Sequence, residues 1–297
     1  MFSLFWAVQI FAAKLGFIAG ASVLPFQIML ILVAALTLMV LLWRNTHVAL
    51  GDMFRNQPAL FWKLFLANGI QSGLGTFLSI IGIALTATIN AGFLVKMATV
   101  TTILFAWLLL DEKLSLRKSV VMVFMLLGAY LLTTKGQSLL PHIGDLFILG
   151  ACVSWSLGNV LVRKTLRTQA VSADVVTMQK PLASIPVFGG LISTVVFFPK
   201  LLGTSGPVLE CCPFSASSFP YALVSGVLLA LTWIYLYRTL SVSTASYMTL
   251  MSMMTPIMVS VLAMAFLEEK LVTIQLLGAG LILLSGAVIY FSDVANV

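Results

Sequence analysis

The sequence predicts an all-α membrane protein whose ten transmembrane helices form two inverted five-helix repeats. Three observations carry this. The chain is 297 residues long, 61% hydrophobic and only 8% charged. That exceeds the apolar share of soluble domains, about 45–50%, so lipid is the solvent. The sequence also divides into ten apolar runs, each near the ~20 residues a helix needs to cross ~30 Å of hydrocarbon. Finally, Leu108-Leu-Leu-Asp-Glu-Lys-Leu114 recurs 157 residues later as Ala265-Phe-Leu-Glu-Glu-Lys-Leu271, each copy lying between two apolar runs. A helix–acidic turn–helix unit present in both halves marks a duplication, the common plan of proteins whose site lies where the halves meet.

The ten spans fall at about 2–20, 23–43, 60–83, 86–110, 114–133, 144–164, 174–198, 219–239, 242–266 and 270–291. Span one holds Trp6 and is interrupted by Lys14. Aligned with span six, Trp6 meets Trp155 and Lys14 meets Arg163, which leaves span one short at its start. With no basic stretch before it, it does not read as a cleaved signal peptide. Span three carries Gly69, Gly73 and Gly75, which suit close helix packing. Span four opens on Thr86-Ala-Thr88 and span nine on Ser243-Thr-Ala245, at the same spacing of 157. Span nine holds Thr255-Pro256, whereas span four has Thr99 in place of the proline and is expected to be straighter. Spans five and ten follow the acidic turns, so Glu112 and Glu269 are expected to favour the N-termini of those helices. The connections are short except at Arg44–Ala59 and Pro199–Ser218. The latter, with Gly203, Gly206, Pro207 and Pro213, reads as an irregular loop. Trp6, Trp43 and Trp62 read as interfacial anchors.

Orientation follows from lysine and arginine. With the N-terminus inside, the inner turns carry Arg44, Arg55, Lys63, Lys113, Arg117, Lys118, Arg163, Lys164, Arg167 and Arg238, and the outer turns only Lys135, Lys200 and Lys270. Both termini are therefore placed in the cytoplasm. Five spans per half is an odd number, which inverts one half relative to the other. The repeats run over 1–134 and 143–292, in a multi-pass protein assigned to the cell (inner) membrane.

Composition also excludes classes of function. The net charge of +7 is accounted for by basic residues at helix ends and implies no nucleic-acid partner. Cys152, Cys211 and Cys212, with His47 and His142 in expected loops, offer no metal-ligand spacing and no disulfide framework. No cofactor or metal is expected. There is no His-Glu-x-x-His, no Gly-x-Ser-x-Gly and no embedded aspartate pair, so the chain does not read as an enzyme. It also lacks a Gly-x-x-x-x-Gly-Lys-Ser/Thr loop for ATP.

Taken in order, three stretches carry a resemblance. They are the paired turns Asp111-Glu-Lys-Leu114 and Glu268-Glu-Lys-Leu271, the segment Gly144-Asp-Leu-Phe-Ile-Leu-Gly-Ala-Cys-Val-Ser-Trp155 leading to Asn159 and Arg163-Lys164, and Thr255-Pro256. Together they resemble the EamA-type transporters of the drug/metabolite transporter superfamily. The resemblance covers nearly the whole chain. It implies an inverted five-plus-five arrangement, a central cavity, and movement of small metabolites by alternating access without ATP.

Lys96 lies about ten residues, hence ~15 Å, into span four, where a charge costs at least ~2.5–3.5 kcal/mol unless it faces water or a partner. Its surroundings, Phe93-Leu-Val-Lys96-Met-Ala-Thr-Val-Thr-Thr102, also look like the corresponding helix of nucleotide-sugar and triose-phosphate transporters, in which a lysine faces substrate. Lys180, within Gln179-Lys180-Pro181, lies ~9 Å into span seven, where facing the cavity and snorkelling to the surface are both open to it. No acidic residue lies deep in a span. Exporters of organic cations use an embedded carboxylate, whereas embedded lysines suit a carboxylate or phosphate. Uncharged polar and aromatic side chains in the spans are Asn68, Gln71, Asn90, Asn159, Trp233, Tyr235, Tyr237 and Tyr247. The substrate-binding set chosen from these features is Lys96, Lys180, Asn90, Gln71, Asn159, Tyr235, Trp233 and Tyr247.

The function expected is secondary active transport of a small anionic or zwitterionic metabolite such as an amino acid, in the export direction. The alternatives are a phosphate-linked antiporter, which resembles the nucleotide-sugar and triose-phosphate transporters, and a non-transporting membrane sensor subunit. The partners implied are a small-molecule substrate and the lipid bilayer, with a homodimer left open.

Overall fold

The computed structural model describes residues 1–86, 88–113, 115–169, 171–197, 216–268 and 271–294. Their regular structure is entirely helical: α1 (Phe2–Ile18), α2 (Val23–Asn56), α3 (Pro58–Asn68), a π-helical segment (Gly69–Leu74), α4 (Gly75–Leu85), α5 (Thr88–Leu94), α6 (Met97–Leu110), α7 (Leu116–Thr134), α8 (Ile143–Thr168), α9 (Ala173–Phe197), α10 (Phe219–Val242), α11 (Ala245–Ser252), α12 (Thr255–Leu267) and α13 (Thr273–Val294). Eight helical stretches are long and apolar enough to cross a bilayer, by length and composition. Two shorter apolar helices, Phe2–Ile18 and Thr273–Val288, stand at the places of the first and tenth expected spans. The loop holding Cys211 and Cys212 lies outside the described residues, as does Glu269.

The sequence reading ended span two near residue 43, but α2 continues to Asn56. Thr46, Leu50 and Met53 are buried at helical spacing, so one face of this extension packs inward. It stops at Gln57 because the residue before Pro58 is driven out of the α region. His47 is therefore on a helix, and its Nδ1 lies 2.7 Å from the Trp43 carbonyl.

Span four is not straight. It breaks at Val95 and Lys96, between α5 and α6, much as span nine breaks at Met253 and Met254, between α11 and α12. The first break needs no proline because α8 satisfies the carbonyls around it. Cys152 Sγ donates to the Leu94 carbonyl at 3.3 Å, and Ser156 Oγ to the Ala98 carbonyl at 2.9 Å. Both broken spans end alike, on an acidic residue in the left-handed region: Asp111 at φ 55° and Glu268 at φ 54°.

The packing pairs are reproduced across the two halves. α1 lies against α10 and α12, as α8 lies against α4 and α6. α2 runs along α9, and α7 along α13. Small residues permit the closest approaches. A Cβ added to Gly128 or to Gly278 would stand 2.6 Å from the other glycine's carbonyl oxygen. Many leucines and valines point outward, among them Leu36, Val40, Val123, Leu127 and Leu284, as expected of a surface facing lipid.

Candidate functional site

α9 begins at Ala173, so Lys180 sits two turns in, ~10 Å along the axis from the face that carries Arg163, Arg167 and Arg238. It does not snorkel. Its side chain is only 1% exposed. Nζ donates to Gln71 Oε1 at 2.6 Å and to the Tyr237 hydroxyl at 3.1 Å. The ammonium also lies over two aromatic faces, 5.0 Å from the Trp233 ring centre and 4.8 Å from that of Tyr237. Such contacts contribute about 2 kcal/mol or more when desolvated. All of these partners are neutral. Among the described residues the Lys180 amine thus meets dipoles and ring faces, with no carboxylate beside it.

Two more side chains complete the cluster. Gln71 Nε2 donates to Asn159 Oδ1 at 2.5 Å. The Tyr237 hydroxyl lies 2.6 Å from Asn68 Oδ1 and 2.6 Å from Gln71 Oε1, so its single proton serves two acceptors. Local structure explains why these groups converge. Gln71 sits within the π-helical segment, which inserts an extra residue per turn and re-aims the side chains around it; such segments are frequent at functional sites. Gly158 of α8 gives the segment room, and Gly73 fits against Val187 of α9, where an added Cβ would come within 2.6 Å. In α9, Pro181 removes one backbone donor directly after the lysine. Beside it, Gln179 Oε1 is buried with no hydrogen-bond partner among the described residues, while Gln179 Nε2 donates to the Phe61 carbonyl at 2.8 Å.

The structure thus brings together Lys180, Gln71, Asn159 and Trp233 of the expected set and adds Asn68 and Tyr237. Trp233 and Tyr237 are four residues apart and share a helix face, whereas Tyr235 stacks on Phe5 at 5.2 Å, away from the lysine. Helical spacing was the available signal for choosing Tyr237. Asn90 lies near the start of α5, not in mid-span. Its Nδ2 donates to the Leu140 carbonyl at 2.6 Å and to Asp145 Oδ2 at 3.1 Å. Tyr247 packs with the apolar cluster between α7 and α13. Lys96 occupies the break between α5 and α6 and is half-buried. Its level on α8 is that of Cys152, seven residues or ~10 Å from Asn159.

Each face has a carboxylate tie between the halves. Glu112 does not start its own following helix: Ser115 caps α7, accepting from the Lys118 amide at 3.3 Å. Glu112 instead caps α11, accepting from the amides of Ala245 and Ser246 at 2.9 and 3.2 Å and from the Ser246 hydroxyl at 2.6 Å. Nearby, Arg163 donates to the Ser241 carbonyl and Arg167 to the Leu110 carbonyl, both at 3.1 Å, and Arg238 pairs with Asp174 at 2.8 Å. On the opposite face Asp145 accepts from Thr86 and Asn90 of the first half and caps α8 through the His142 amide at 2.9 Å.

A model of the EamA-like transporter family matches residues 1–134 and 142–291. The chain is also similar to a curated protein of Methanothermobacter thermautotrophicus described as an uncharacterized transporter. Identity is 23% over 234 residues, covering 77% of this chain and 64% of that protein, so the chain spans less than two thirds of this relative. A solved structure described only as the crystal structure of a protein superposes with a TM-score of 0.69 at 16% identity, over 97% of this chain and 94% of that one. At that identity the likeness is one of fold.

Proposed function

The chain belongs to the EamA-like transporter family, and on that premise we propose that it is a secondary active transporter exporting a small anionic or zwitterionic metabolite, such as an amino acid, by alternating access. The proposal includes ten spans in two inverted repeats, with the arginine-rich face cytoplasmic. The matched packing pairs, the two broken spans and the paired left-handed turn residues support this architecture.

One observation carries the substrate class: Lys180 is buried between the halves among neutral partners. A cation held in apolar surroundings favours any ligand that supplies the missing negative charge. A carboxylate adds its own charge to the bond it accepts from an ammonium, and so binds it more strongly than the amide oxygen it replaces. Trp233 and Tyr237 offer ring faces to the body of the ligand, and Asn68 and Asn159 offer amides to its polar groups. The ties through Glu112 and Asp145 lie on opposite sides of this cluster, so breaking one while the other holds would open the site to a single face. A phosphate-linked antiporter fits less well, because Lys180 is the only basic side chain of the cluster among the described residues, while Lys96 sits at the break between α5 and α6.

The test is uptake and counterflow in proteoliposomes with radiolabelled amino acids, sugar phosphates and nucleotide sugars, comparing wild type with Lys180→Met. Saturable flux of a carboxylate-bearing substrate that Lys180→Met abolishes is the expected result. Flux indifferent to Lys180→Met, or flux of cations alone, would overturn the reading.

A further inference from the structure

The two donors that a substrate carboxylate would use are already engaged. Lys180 Nζ and the Tyr237 hydroxyl both reach Gln71 Oε1, at 2.6 Å each. One carbonyl oxygen receiving a charged and a neutral donor from two helices has the coordination that one oxygen of a bound carboxylate would take. Gln71 comes from the first half of the chain, while Lys180 and Tyr237 come from the second. The bond is therefore also a tether between the halves.

We propose that Gln71 is an internal stand-in for the substrate's anionic group, holding Lys180 and Tyr237 in the arrangement described and leaving them when a carboxylate arrives. This rests on the reading of Lys180 as the anion site. Three features support it. An amide oxygen is a weaker partner for an ammonium than a carboxylate, so the exchange favours the ligand. Gln71 Nε2 is bonded to Asn159 Oδ1 at 2.5 Å, so a second bond to the other half leaves with the same side chain. Its backbone lies in the π-helical segment, and a return to regular α geometry there would rotate the side chain about the helix axis and withdraw it. Arrival of substrate would thereby release a bond between the halves at the moment they must move.

The experiment uses the full chain in detergent and reads thermal unfolding against added phenylacetate, a carboxylate with a flat body suited to the two rings. Inorganic phosphate and phenethylamine serve as the other arms. Wild type is expected to be stabilised by phenylacetate and not by phenethylamine. Stabilisation by phosphate alone would assign the site to phosphoryl groups and overturn the carboxylate form of the proposal. Gln71→Leu removes the competitor and should respond at about tenfold lower phenylacetate, while Gln71→Glu ties up the lysine and should need at least about tenfold more. Lys180→Met should not respond. A wild type silent to every anion, or a Lys180→Met protein that responds like wild type, would overturn the anion site itself. A silent Lys180→Met beside Gln71→Leu and Gln71→Glu proteins that both respond at the wild-type concentration would keep the anion site and overturn the stand-in. Should Gln71→Glu fail to fold, the Gln71→Leu titration alone decides.

Discussion

Gly158 leaves the space that Gln71 fills: a Cβ on Gly158 would clash with the Cβ of Gln71 and stand 2.7 Å from the carbonyl oxygen of Ala67. The contact is with the backbone side of the π-helical segment, where nothing can rotate away. Gly158→Ala should therefore move the segment and lengthen the bond from Lys180 to Gln71. Overpacking of this kind costs about 1–3 kcal/mol. The expected result is a lower Tm together with loss of saturable flux. Gly150, on the same helix, meets only a flexible end of Leu78 at 3.4 Å, and Gly150→Ala should leave both unchanged.

The sequence shows the recurring acidic turns plainly, because each stands out between two apolar runs, and both broken spans end on one of them. It shows the polar groups of span three for the same reason: Asn68 and Gln71 stand out against an apolar run. Three features were not legible. The break at Lys96 has no proline or glycine at the turn itself, since its support comes from Cys152 and Ser156 on another helix. The π-helical segment leaves no mark beyond glycines that also serve packing. The third, the role of Glu112, is set by a contact with Ser246 that lies 134 residues away. Lys180 was visible, but its burial depends on rings from α10 that close over it.

Glu112 can be tested by its effect on α11. It accepts three hydrogen bonds at the start of that helix, two of them from backbone amides. Hydrogen bonds to a charged group contribute about 1.5–3 kcal/mol. In Glu112→Ala, hydrogen exchange at the amides of Ala245 and Ser246 should accelerate by roughly ten- to a hundredfold. Glu112→Gln keeps an acceptor but loses the charge, and should fall between. Protection at the start of α8, held by Asp145 on the other face, should not change.

Trp233 and Tyr235 make a matched pair of variants. Trp233 has its ring 5.0 Å from Lys180 Nζ, whereas Tyr235 stacks on Phe5. Trp233→Leu removes a ring face from the lysine and from any flat ligand beside it, so the apparent KM for transport should rise by about five- to thirtyfold, the equivalent of roughly 1–2 kcal/mol. Tyr235→Leu should lower Tm slightly through lost packing and leave the KM alone. Equal effects on KM from the two variants would place the site elsewhere on α10.

The last contrast is between the two embedded lysines. Lys180→Met removes a charge that is 1% exposed and leaves its two oxygen partners bonded to each other, since the Tyr237 hydroxyl and Gln71 Oε1 are 2.6 Å apart. Replacing a buried charge by an apolar chain of similar length is often neutral or stabilising. Tm should therefore hold or rise while substrate affinity falls by roughly ten- to a hundredfold, the loss expected for a charge-assisted bond in a dry site. Lys180→Arg should retain part of the affinity, because a planar fork cannot sit between the two rings as a compact ammonium does. Lys96→Met acts at the break between α5 and α6, where Lys96 is half-buried; the groups that hold Lys180 belong to other helices. Its effect on affinity should be smaller than that of Lys180→Met, and its effect on turnover larger, if the break flexes during transport. Binding and flux measured on the same preparations separate the two. A Lys96→Met protein that loses more affinity than Lys180→Met would shift the anion site to the break in span four.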